Sequence, residues 1–239
     1  MAKTILHKAN TRGHADHGWL NSYHTFSFAN YYNPERIHFG ALRVLNDDTV
    51  AGGKGFGKHP HDNMEIISIP LEGDLEHTDS MGNKTVIRNG DIQAMSAGTG
   101  VAHSEYNANA DKEVKFLQIW LFPDRKNIQP VYSQVTLQAA DRKNKLQQIV
   151  SPRSNGSDGV TVQQSAWFSL GDLEQGKQLS YNIKRKENGI YVFVLKGEVT
   201  IEGQKLDTRD GFGIWETDTI SITAGTHAEI LLMDVPMDI

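Results

Sequence analysis

Cysteine is absent from this 239-residue chain. Its absence excludes disulfides, thiolate metal sites, iron–sulfur clusters and cysteine nucleophiles together, so any transition metal must rest on histidine and carboxylate. An excess of positive charge is missing too: 24 lysines and arginines stand against 29 aspartates and glutamates, a formal charge of -5. No global basic surface therefore draws nucleic acid by counterion release, and no direct nucleic-acid partner is expected. The basic run Lys184-Arg185-Lys186 meets Glu187 at once and reads as a solvated hairpin end. Long apolar runs are lacking, since stretches such as Ile190 to Leu195 are far too short to span a bilayer. The opening residues Met1 to Lys8 carry no apolar signal core, so a cytoplasmic protein without membrane contact is expected.

Sustained helical periodicity is also missing. In its place are 22 glycines and recurring turn signals: Asn46-Asp47-Asp48, Gly52-Gly53, Glu72-Gly73-Asp74, Met81-Gly82-Asn83, Asn89-Gly90-Asp91 and Ala97-Gly98-Thr99-Gly100. Between them lie short alternating or apolar segments at 38–44, 65–71, 84–88, 91–95 and 114–122, which predict strands of an all-β sandwich or barrel. The polar, proline-bracketed stretch 123–130 predicts a linker. Beyond it, after a loop at 153–159, further strands are expected at 160–164, 178–183, 191–195, 198–202 and 227–233.

A weak internal repeat supports two related domains, 1–130 and 131–239. Ile69 to Asp74 followed by Asn89-Gly90-Asp91 parallels Val194 to Glu198 followed by Arg209-Asp210-Gly211. The second copy has no paired histidines, and His227, alone on a late strand, reads as structural.

The chemistry concentrates in two doublets, His59-Pro60-His61 and His103-Ser104-Glu105. Strand side chains alternate faces with a period of two, so each doublet points one way. Pro60 cannot donate to a ladder and belongs on an edge or bulge, which keeps the pair at an accessible mouth. Glu65 shares the face of His61 if that strand continues, making it a further candidate near a metal.

The framing of these doublets resembles the cupin superfamily. Its first motif, Gly-x5-His-x-His-x3–4-Glu-x6-Gly, maps onto Gly53, His59, His61, Glu65 and Gly73 with one extra residue before the last glycine. Its second maps onto Gly90, Ser96, Gly98, His103 and Asn107, but Ser96 replaces proline and four residues separate Gly98 from His103. Those departures are similar to the pirin family, whose motif reads here from Ser96 to Glu105. Arg12 to Leu20, His24 to Ala29 and Phe39 to Val44 also resemble the opening of short bacterial pirin-like proteins.

The resemblance implies an all-β, two-domain bicupin, each domain a small antiparallel β-barrel, with the metal in the N-terminal barrel only. It implies His59, His61, His103 and Glu105 as ligands, with Glu65 beside them. Three imidazoles and a carboxylate suit one divalent transition metal, Fe(II) first, with Mn, Co, Ni, Cu or Zn able to replace it. The implied activity is that of a quercetin 2,3-dioxygenase, in which a flavonol, deprotonated at its 3-hydroxyl, reacts with O2, loses its central ring and releases carbon monoxide. The proton would pass to Glu105, or to Glu65 in second place. Trp19, Phe26 and Phe28 read as core before pocket walls, and His14, His17, His24 and His38 are pocket candidates. The partners expected are a small aromatic substrate and O2, with a monomeric chain. Two other functions fit the same scaffold: a metal-binding, redox-responsive regulatory protein with an unspecified protein partner, or a cupin enzyme acting on another small molecule.

Overall fold

The structure is a computed structural model describing residues 2–154 and 158–239; Met1 and residues 155–157 of the 153–159 loop lie outside the described residues. Strands dominate. The first are β1 (Lys3–His7), β2 (Gly13–Asp16), β3 (Leu20–His24), β4 (Leu42–Val50), β5 (Gly55–His61) and β6 (Glu65–Glu72). Next come β7 (Asp74–Asp79), β8 (Lys84–Arg88), β9 (Asp91–Ser96), β10 (Val101–Asn107), β11 (Val114–Leu121) and β12 (Val131–Thr136). The second half contributes β13 (Leu146–Pro152), β14 (Val160–Val162), β15 (Trp167–Leu173), β16 (Gln178–Asn182) and β17 (Asn188–Lys196). It ends with β18 (Val199–Ile201), β19 (Gln204–Leu206), β20 (Gly211–Trp215), β21 (Thr219–Ala224) and β22 (Ala228–Pro236).

Two barrels result, each made of a seven-stranded and a four-stranded sheet. The first pairs β12-β9-β6-β11-β4-β3-β2 with β5-β10-β7-β8; the second pairs β1-β20-β17-β22-β15-β13-β14 with β16-β21-β18-β19. The two-barrel, all-β expectation is met. Two strands cross the 130/131 boundary: β1 pairs with β20, from Lys3↔Trp215 to His7↔Gly211, and β12 pairs with β9, from Val131↔Ser96 to Thr136↔Asp91.

Alternation decides where each core sits. On the large sheet of the first barrel, Leu45, Ile67, Ile69, Ile92, Ala94, Leu117 and Ile119 face outward, into a core shared with Ile149, Val150, Phe168, Phe193, Leu231 and Met233 of the second. The large sheets thus pack on each other through their outer faces. Such a sheet is buried on both sides, which is why β6 reads almost continuously apolar. The second barrel is filled from within by Ile190, Val192, Val199, Ile201, Phe212, Ile220, Ile222, Ile230 and Leu232. The first has no such filling along its length; apolar groups at its ends, around Phe116 and around Met95, flank a polar middle.

Two sequence expectations change. The strand expected at 38–44 begins only at Leu42, because the chain first turns through Gly40 at φ 50 against the end of β22. A Cβ there would stand 2.1 Å from the Pro236 carbonyl oxygen, and Ala41 N–H donates to that oxygen at 2.8 Å. Asn46-Asp47-Asp48, expected as a turn, lies in the middle of β4. Its polarity has another cause: Asn46 and Asp48 enter the first barrel, whereas Asp47 accepts from Arg12 at 3.1 Å and from Arg209 at 2.9 Å on the other face.

Candidate metal centre

The small sheet of the first barrel brings both doublets together. β5 is its edge strand, where Pro60 needs no partner for a missing N–H, and β10 lies beside it with His103 opposite His59. A register shift between His103 and Glu105 sets Glu105 opposite Phe56. The ligand atoms of His59, His61 and His103 lie within 4.8 Å of one another. Those of His103, His77 and Glu105 do the same, so His103 belongs to both triangles.

These rings suit a cation. His59 Nδ1 donates to the Gly57 carbonyl at 2.8 Å, which leaves its Nε2 lone pair free. His103 Nε2 is buried without a hydrogen-bond partner, a costly state for a polar atom unless something coordinates it. Burial, then the neighbouring imidazoles, push His61 down to about 4 and His103 down to about 3. Both are neutral near pH 7, the form in which imidazole binds metal. Glu105 is also buried; its Oε1 accepts from Ser68 at 3.1 Å and its Oε2 from Gln118 at 2.9 Å. The three imidazoles suit a divalent ion; Glu105 shares its triangle with His103 and His77, not with His59 and His61.

Above it opens a cleft. Its rim comprises Ala15, His17, Phe28, Ala29, Phe56, His59 and His61, and its floor Ser22, His24, Asn46, Asp48, His103, Glu105, Gln118 and Trp120. The floor is a row in register across the large sheet: His24 opposes Asn46, Asn46 opposes Gln118, and Gln118 opposes Ser68. Several of its polar atoms lack partners: His24 Nδ1, Asn46 Oδ1, Gln118 Oε1 and Trp120 Nε1. Burial, followed by His14 and His17, lowers His24 to about 4. Burial pushes the Asp48 carboxyl up to about 7 although Ser22 donates to it. The cleft has a volume of about 120 Å³ and is open at its rim.

Glu65 stands elsewhere. The chain turns after His61 through Asn63, at φ 46, before β6 starts, so the strand that would have aligned His61 with Glu65 does not continue. Glu65 lies on the outer face of β6, where its Oε2 accepts from Ser96 at 2.5 Å and from Gln163 N–H at 2.9 Å. Ser96 in turn accepts from Arg153 at 2.7 Å, which makes this a junction between barrels. Of the other pocket candidates, His17, His24 and Phe28 line the cleft. Phe26 is in the shared core, Trp19 packs edge-on against Phe56, His14 stacks on Tyr23, and His38 bonds the Gly40 carbonyl. His227 is a surface partner of Asp172 at 2.6 Å.

Asn46, Asp48, Phe56, Gln118 and Trp120 were not anticipated as cleft residues. A signal existed: polar residues at alternate positions within otherwise apolar strands mark a buried site that is not plain core.

The chain as a whole is similar to known proteins. The family model Pirin matches residues 6–121, and that of the quercetinase C-terminal cupin domain matches residues 148–235. A quercetin 2,3-dioxygenase of Escherichia coli is 46% identical over 236 residues, covering 97% of this chain and 98% of the relative. A pirin-like protein of Caulobacter vibrioides is 38% identical over 222 residues, covering 93% and 95%. The crystal structure of the bacterial pirin YhhW from E. coli in complex with nickel(II) superposes with a TM-score of 0.92 at 44% identity, covering 98% of this chain and 99% of that one.

Proposed function

The chain belongs to the pirin family, and from that premise we propose that it is a metal-dependent quercetin 2,3-dioxygenase, opening the central ring of a flavonol with O2 and releasing carbon monoxide. The observation that carries this reading is the convergence of His59, His61 and the partnerless His103 Nε2 in a cleft lined by aromatic side chains.

His59, His61, His103 and Glu105 would hold the ion, with Fe(II) as the resident metal. Nickel(II) is the alternative supported by the E. coli relative's complex. When bound, the metal supplies Lewis acidity and a meeting point for substrate and O2. The protein's part is placement and proton transfer. One substrate ring would enter between Phe28, Phe56 and Trp120, with the rest of the flavonol toward the rim. Its hydroxyl and carbonyl groups would satisfy Asn46 Oδ1, Gln118 Oε1 and Trp120 Nε1, groups that penalise ligands unable to hydrogen-bond. Glu105, steadied by Ser68 and Gln118, is the cleft carboxylate on the same strand as His103 and would take the phenolic proton. Glu65, engaged by Ser96 and Gln163 at the inter-barrel junction, is the weaker candidate.

The test is anaerobic reconstitution with Fe(II), Mn(II), Co(II), Ni(II) or Cu(II), followed by oxygen uptake and carbon monoxide detection with quercetin. Turnover with carbon monoxide release is expected with at least one ion. No turnover with any of them sinks the flavonol assignment. Metal content of His59→Ala and His103→Ala separately checks the ligands: both variants should lose stoichiometric metal.

A further inference from the structure

Beside the three histidines, β7 carries His77 and Asp79, both with fully buried side chains. Neither lines the cleft, and neither is used in the reaction described above. In the ladder with β10, Asp79 stands opposite His103 and His77 opposite Glu105. We propose that Asp79 and His77 form a positioning chain that holds His103 in its Nδ1–H tautomer, so that the Nε2 lone pair faces the metal. This rests on the reading of His103 as a ligand.

Donor and acceptor roles propagate from one end. Asp79 Oδ1 accepts from Met81 N–H at 2.9 Å and Asn83 N–H at 3.1 Å, and its Oδ2 accepts from Asn83 Nδ2 at 2.8 Å. A carboxylate so surrounded by donors can only accept from the next group, His77 Nε2, at 3.1 Å. In its neutral form, with the proton on Nε2, His77 presents a bare Nδ1. Facing it at 3.5 Å is His103 Nδ1, which must then carry the hydrogen. That spacing is the long member of the chain. The only ring nitrogen left without a proton on His103 is Nε2, the atom that lacks any partner. The two ends of the chain therefore agree.

The same logic removes the second triangle as a metal site. Both nitrogens of His77 are committed, one to Asp79 and one to His103, and no lone pair remains for an ion. Tyr132 on β12 packs against the His77 ring at 5.0 Å between centroids and is itself fixed by Thr85 at 2.7 Å, so the chain is held from behind. Outer partners of this kind select the tautomer and orientation of a metal-binding imidazole.

The test begins on the metal-free full chain labelled with ¹⁵N-histidine, using long-range ¹H–¹⁵N correlation, with the His103 signals identified by their loss in His103→Asn. The expected result is a protonated Nδ1 and a bare Nε2 on His103; a protonated Nε2 overturns the proposal. Nickel(II) affinity is then measured by competition with a chromophoric chelator. His77→Gln keeps an amide near Asp79 but gives His103 no acceptor, and should weaken nickel binding about 10- to 100-fold. His77→Asn places an amide oxygen near the lost Nδ1 and should stay within about 3-fold of the parent. Equal affinities for parent, His77→Gln and His77→Asn overturn the proposal, as does an equal loss in both variants. Thermal melts report folding, and if His77→Gln does not fold, Asp79→Asn replaces it. Its amide can donate to His77, so the His103 proton should redistribute toward Nε2, and an unchanged tautomer counts against the chain. Should the parent take up no nickel, the ligand reading fails, while the metal-free tautomer still decides this inference.

Discussion

Glu65 and Glu105 are two buried carboxylates with opposite situations. Glu105 was readable in the sequence as the partner of His103 because both lie on one strand two residues apart. The position of Glu65 was not readable, since it depends on a turn at Asn63 that breaks the alternation. Nor were Asn46, Gln118 and Trp120, whose roles come from neighbours across the sheet and not along the chain. Burial pushes Glu65 up to about 7, against the downward pull of Ser96, the Gln163 N–H and Arg153. The folded chain therefore binds this proton more tightly than the unfolded chain, whose value is near 4.5. Between those values the folded state holds more protons, so its stability falls as pH rises. Relative to Glu65→Gln, the metal-free parent should lose about 3 kcal/mol of unfolding free energy between pH 4.5 and 7. Urea titrations of both proteins across that range measure it, and a constant difference would refute it.

At the level of elements, the strands most legible in the sequence were those with one clear environment: β6, β8, β9 and β11 start where expected and end within a residue of expectation. The doublets on β5 and β10 were legible for the same reason, and His77 with Asp79 on β7 repeats their i, i+2 spacing. Without flanking glycines in a recognisable frame, that third doublet carried no separate signal. β4 was misread because its polar middle resembles a turn, although those side chains serve the cleft and the Asp47 ion pairs. The approach to β4 shows how tightly one element can depend on another, since Gly40 lies against the Pro236 carbonyl. Gly40→Ala combines that collision with a left-handed backbone and should cost roughly 2–4 kcal/mol. Calorimetry should show Tm falling by roughly 10 °C; an unchanged Tm would mean that the turn gives way freely.

At the scale of the whole molecule, the sequence disclosed two β-rich halves through turn spacing and a faint repeat. It did not disclose that the halves exchange strands, because the partners of β1 and β12 are sheet edges assembled from distant residues. An edge strand needs a cover, and each barrel receives one from across the boundary. Segments 1–130 and 131–239 expressed apart should each lack a cooperative unfolding transition, while co-refolding should restore one; two independently cooperative halves would contradict the shared core as the main stabilising element. That core also decides how molecules travel. The second barrel is packed solid and seals the back of the first, so the cleft opens toward its rim of His17, Phe28, Phe56 and His59. Under the proposed reaction, substrate, oxygen and product would all pass this rim. In that reaction a spent product still at the rim would compete with the next substrate, and the chamber would act as a cul-de-sac.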